Sequence, residues 1–128
     1  MNPKKNILII DSDSDRLLKT CKLFVAQGYR VWPADSCELA VVSIGVKAPD
    51  LILIDVKPEM DGFDFCKLIK GQDEFANIPV VFLSFTKQLC FKMEALTQGE
   101  VNFVPKNFNC NELFGMVKKQ INAYTIQK

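Results

Sequence analysis

The chain has 128 residues, sixteen basic against fifteen acidic, a net charge of +1 and no histidine. At 48% hydrophobic and 24% charged it can bury the core of one domain. The charge balance supplies neither a nucleic-acid tail nor a polybasic membrane patch, and any phosphoryl or proton chemistry falls to carboxylates, lysines and hydroxyls.

The five cysteines (Cys21, Cys37, Cys66, Cys90 and Cys110) are odd in number and at least sixteen positions apart. No zinc or redox spacing appears, so they read as reduced core residues of a cytoplasmic protein. Met1 to Asn6 is polar, and the apolar run after it has only four residues. That is too short for a signal-peptide core or a membrane span.

Strand 1 is predicted over Asn6 to Ile10, followed by the acidic cluster Asp11-Ser12-Asp13. A helix then carries Leu17, Leu18, Cys21, Phe24 and Val25, with Ser12 or Ser14 as its cap and Gly28 as its stop. Tyr29 to Trp32 forms a short second strand before Pro33. Asp35-Ser36-Cys37-Glu38 has the form of a capping box and opens a helix to about Gly45. Strand 3, Leu51 to Ile54, has the short apolar run of a strand buried on both faces, with Asp55 at its carboxyl end. Phe63, Phe65, Cys66, Leu68 and Ile69 mark a helix from Asp61 to about Lys70. Val80 to Leu83 is a fourth strand ending at Ser84, followed by a helix over 86–98. Val101 to Val104 is a fifth strand. Asn109, with Glu112 three places on, caps a last helix carrying Leu113, Phe114, Val117 and Ile121.

Strand and helix alternate five times, with no repeat or linker, so residues 1–128 read as a single domain. The class is α/β: a doubly wound, five-stranded parallel sheet with helices on both faces. Right-handed crossovers with one switch in direction give the flavodoxin-like order 2-1-3-4-5. Asp11, Asp55, Ser84 and Lys106 then surround one hollow at the carboxyl ends of the strands. Carboxylates gathered there need a hard cation or a lysine to hold them together.

ILIID at strand 1, LILIDVKPEMDGF around strand 3, IPVVFLS at strand 4, and Lys106 two places after Val104 resemble the receiver domain of two-component response regulators, along nearly the whole chain. The resemblance implies that Asp55 accepts a phosphoryl group from a histidine kinase or phosphotransfer protein. It implies Mg²⁺ held by Asp11, Asp55 and the Lys57 carbonyl, with Ser12 as a further candidate. Lys106 would pair with the carboxylate and then the phosphate. Ser84 and Phe103 would act as the switch that reshapes the face of the fourth helix, fifth strand and fifth helix for a downstream protein or effector domain. Such a domain is a signalling module rather than a turnover enzyme, and a homodimer is a further option. The chain is expected to stand alone or to be excised from a longer protein.

Four positions depart from the family pattern. Ser12 replaces a second acid, and the loop after Asp55 is one residue short of the usual spacing to its proline. Phe85 stands where a small residue is usual, and Asn107 replaces a proline. These departures predict weak metal binding and slow chemistry. The alternative is a pseudo-receiver, the same fold used as a phosphorylation-independent docking module. A calcium loop over Asp11–Asp15 fails, because Arg16 and Lys22 stand where glycine and glutamate belong. A phosphatase using Asp11 and Asp13 lacks that motif's threonine.

Overall fold

A computed structural model describes residues 3–55, 62–84, 101–105 and 109–127. In chain order they form β1 (Asn6–Ile10), α1 (Ser14–Ala26), β2 (Arg30–Ala34), α2 (Cys37–Val46), β3 (Leu51–Asp55), α3 (Gly62–Lys70), β4 (Val80–Ser84), β5 (Val101–Pro105) and a C-terminal helix (Cys110–Gln127). The strands build one parallel sheet in the order β2-β1-β3-β4-β5, the doubly wound flavodoxin-like arrangement expected from the sequence. The helix expected over 86–98 lies outside the described residues.

Successive residues of a strand point to opposite faces, and the buried side chains divide on that parity. Leu8 and Ile10 of β1, Ile52 and Ile54 of β3, and Val80 and Phe82 of β4 pack with Ala40 and Ile44 of α2 and Phe65, Cys66 and Ile69 of α3. Ile7 and Ile9, Leu51 and Leu53, and Val81 and Leu83 pack on the other face with Phe24 of α1 and Leu113, Val117 and Ile121 of the C-terminal helix. Ile10 pairs with Ile54, so one more step along both strands brings Asp11 alongside Asp55. Both continue the odd-numbered set, which faces α1. The position of the acid pair therefore follows from parity and register.

Several local expectations need correction. β2 runs on through Pro33 to Ala34, where a stop before Pro33 was expected. The Arg30 N–H donates to the Lys5 carbonyl at 2.9 Å, and the Asp11 N–H donates to the Ala34 carbonyl at 3.1 Å. Even-numbered residues of β2 therefore direct their backbone groups at β1, and Pro33 turns its nitrogen away from the sheet. A proline is tolerated there because β2 is an edge strand.

Asp13 caps α1, not Ser12 or Ser14, its carboxylate accepting from the Arg16 N–H. Ser36 caps α2, accepting from the Leu39 N–H at 3.1 Å, so the cap falls one residue later than a box built on Asp35 and Glu38. α1 buries Phe24 and half-buries Leu17 and Cys21, whereas Leu18 and Val25 are exposed. Leu68 of α3 is also exposed. α2 carries apolar residues on its exposed side as well as its buried one, presenting Leu39, Val42 and Val46 to solvent, so its sequence carries no amphipathic stripe. Among the described cysteines Cys66 is buried, Cys21 and Cys37 are half-buried and Cys110 is exposed; Cys90 lies outside the described residues.

Other expectations hold. α1 ends as read, with Gly28 at φ 95 and its N–H donating to the Val25 carbonyl. Asn109 caps the C-terminal helix, accepting from the Glu112 N–H at 2.8 Å.

Candidate functional site

The sheet's carboxyl edge holds two buried acids. Asp11 is 3% exposed and Asp55 2% exposed, the two buried charged residues of the described set. Two ionised carboxylates out of water repel one another and lose hydration, so each needs compensation.

Arg16 supplies it. Its backbone N–H is fixed by the Asp13 cap, one turn into α1. Helical side chains tilt toward the helix N-terminus, which here faces the strand ends. The guanidinium forks onto Asp11, Nε donating to Oδ2 at 2.6 Å and Nη2 to Oδ1 at 2.9 Å. The same Nη2 lies 2.8 Å from Asp55 Oδ2. That second contact is close but lacks hydrogen-bond alignment, so its attraction is chiefly Coulombic. The Asp13 N–H also donates to Asp11 Oδ1 at 2.9 Å.

Burial pushes the Asp11 carboxyl upward. The Arg16 fork, the Asp13 N–H and the guanidinium charge together outweigh it and hold Asp11 below its ordinary value. The hydrogen bond to Asp11 raises Arg16 in turn, against the opposing effect of burial.

The sequence-derived candidates divide into four groups. Asp11 and Asp55 come together. Ser84 is the last residue of β4, one past Leu83, which pairs with Asp55; Ser84 itself pairs with Pro105, and Phe103 of β5 pairs with Phe82. Lys57, Phe85, Lys106 and Asn107 lie outside the described residues. Ser12 sits half-buried in the turn between Asp11 and Asp13.

Sequence reasoning missed Arg16, considering it only as a residue that spoils a calcium loop. A signal was present. A cation on the first turn of a helix opposes the helix dipole, and one that follows an acidic strand end has anions within reach.

The model of the response regulator receiver domain matches residues 7–118 of the chain. The chain belongs to that family. This receiver is similar to sporulation initiation phosphotransferase F of Bacillus subtilis, 31% identical over 122 residues, covering 94% of this chain and 95% of that protein. It is also similar to the DNA-binding transcriptional regulator NtrC of Proteus hauseri, 25% identical over 126 residues, but spans only 26% of that longer protein. Among solved structures it resembles the signal receiver domain of a signal transduction histidine kinase from Syntrophus aciditrophicus. That likeness has a TM-score of 0.82 and 26% identity, over 93% of this chain and 91% of that one.

Receivers are signalling modules of two-component systems, and the family generally binds Mg²⁺ at its phosphorylation site. Asp11 and Asp55 offer the hard oxygen donors that Mg²⁺ takes, so the donor chemistry fits. Among the described residues, however, no three acid, cysteine or histidine side chains form a metal cluster, and Arg16 holds the same two carboxylates. No helix of the described residues is long and apolar enough to cross a membrane.

Proposed function

We propose that this receiver, acting as one cytoplasmic domain, takes a phosphoryl group from the phosphohistidine of a histidine kinase or phosphotransfer protein onto Asp55. The observation that carries the reading is a 2%-exposed carboxylate ending β3, alongside a second buried acid one residue past the end of β1. An Asp55 carboxylate oxygen attacks phosphorus, the P–N bond to the donor imidazole breaks, and the imidazole keeps the bonding pair and takes up a proton. The product is an acyl phosphate. Asp11, Asp55, the Lys57 carbonyl and Ser12 would hold Mg²⁺, which when bound neutralises phosphoryl oxygens. Lys106 pairs with Asp55 and then with the phosphate. Ser84 turns toward the phosphate, and Phe103 follows it. The change is read on the face of residues 86–98, β5 and the C-terminal helix by a downstream protein or effector domain.

Arg16 favours a second reading, a pseudo-receiver that docks its partners without phosphorylation, because its guanidinium already lies against both acids and offsets part of their charge. Incubation with Mg²⁺ and a small acyl phosphate, followed by intact-mass measurement, decides between them. The phosphoacceptor reading expects one added phosphate that Asp55→Asn abolishes. Absence of the adduct in the wild-type protein selects the docking module.

A further inference from the structure

We infer that Arg16 is a tethered counter-cation: its guanidinium occupies the place of the divalent ion between Asp11 and Asp55, so that Mg²⁺ enters this pocket only by displacing it. The inference rests on reading Asp11 and Asp55 as the family's metal-binding acids. It does not require that Asp55 be phosphorylated.

Three observations carry it. The guanidinium contacts both buried carboxylates at once, 2.6 Å and 2.9 Å to Asp11 and 2.8 Å to Asp55. It therefore uses oxygens that a metal ion would need. Its backbone is anchored by the Asp13 cap at 3.0 Å, and the Thr20 hydroxyl donates to its carbonyl at 2.9 Å, so the cation is held near its partners rather than drawn from solution. A tethered group competes at a high effective concentration, well above that of a freely diffusing ion. Finally, the chain has Ser12 beside Asp11. Two carboxylates need less positive charge than three, and one guanidinium reduces their joint charge from −2 to −1.

Arg16 also has somewhere to go. Its side chain is 34% exposed, whereas those of Asp11 and Asp55 are 4% and 1% exposed. A rotamer change can carry the guanidinium into water without opening the core. The pocket is thus an exchange site in which one cation replaces another. Arg16 acts as a positioning residue for the acids and sets the threshold concentration of metal.

The test measures metal binding and not phosphotransfer. Mg²⁺ is titrated calorimetrically into the wild-type protein and into Arg16→Gln, and melting temperature is followed with Mg²⁺ and with a chelator. Removal of the competitor is expected to tighten Mg²⁺ binding by about tenfold or more. Arg16→Gln should melt lower than wild type in chelator and recover with Mg²⁺, while the wild-type melting temperature barely responds at the same concentrations. Equal affinities in the two proteins, or no Mg²⁺ binding by either, overturns the inference. Should Arg16→Gln not fold, the wild-type protein still gives an answer through the Arg16 Nε–H resonance. That proton should be protected from solvent exchange and lose protection as Mg²⁺ saturates the site. Binding that leaves it protected overturns the inference. Failure to phosphorylate Asp55 in any variant, with the metal results as expected, removes the phosphoacceptor reading and leaves the cation exchange standing.

Discussion

Arg16, on the first turn of α1, and Asp55, at the end of β3, are far apart in sequence and 2.8 Å apart in space. Removing either changes the balance of a buried acid pair, and the two changes should not be independent. Arg16→Met leaves Asp11 and Asp55 to repel one another and should cost about 2 kcal/mol, less than a fully buried pair because Arg16 is a third exposed. Asp55→Asn removes one of the two like charges and should be nearly neutral or stabilising. Combining them should recover about 1 kcal/mol or more relative to the sum, as read by urea unfolding. Strict additivity would mean that the guanidinium does not sense Asp55.

Acid should weaken this fold through Asp11. Its carboxyl lies below its ordinary value in the folded chain, so below the ordinary carboxylate range the unfolded chain binds more protons. The stability it contributes is complete above the unfolded value, about 3.9, and is lost as pH falls through the lower folded value. Wild-type stability should therefore drop more steeply than that of Asp11→Asn as pH falls below about 4. Parallel curves in a denaturation series would count against this assignment.

The start of α2 distinguishes two capping schemes. Ser36 accepts from the Leu39 N–H, so Ser36→Ala should cost about 1 kcal/mol. Asp35→Ala and Glu38→Ala should each stay within about 0.5 kcal/mol of wild type. Loss of stability in Asp35→Ala equal to that of Ser36→Ala would restore the box read from the sequence.

The thiols should react in order of access. Cys110 is exposed, Cys21 is half-buried with burial pushing its thiol up, and Cys66 is buried. Timed alkylation at mildly alkaline pH, read by peptide mass mapping, should label Cys110 first, Cys21 next and Cys66 last. Early labelling of Cys66 would indicate that the packing of α3 on the sheet opens readily.

What the sequence disclosed was governed by burial. β1, β3 and β4 are apolar on both faces because the sheet is covered on both sides, and their runs are visible without a structure. The same rule, extended to Pro33, cut β2 short, because a backbone nitrogen turned away from the sheet leaves no mark in composition. Caps slipped by a residue where Asp and Ser stand side by side, since both accept from the same N–H groups at similar cost. Asp11 and Asp55 were legible as a pair from strand ends alone. Arg16 was not: a helix-borne arginine is usually solvated, and its reach depends on which face the odd-numbered residues of β1 and β3 present.

The two outermost strands, β2 and β5, carry Pro33 and Pro105, while β1, β3 and β4 have no proline. An incoming strand, whether from another copy or from an unfolded neighbour, would find a missing donor at either flank and an interrupted ladder. Growth of the sheet into a fibre or a strand-swapped dimer is thereby discouraged at both ends.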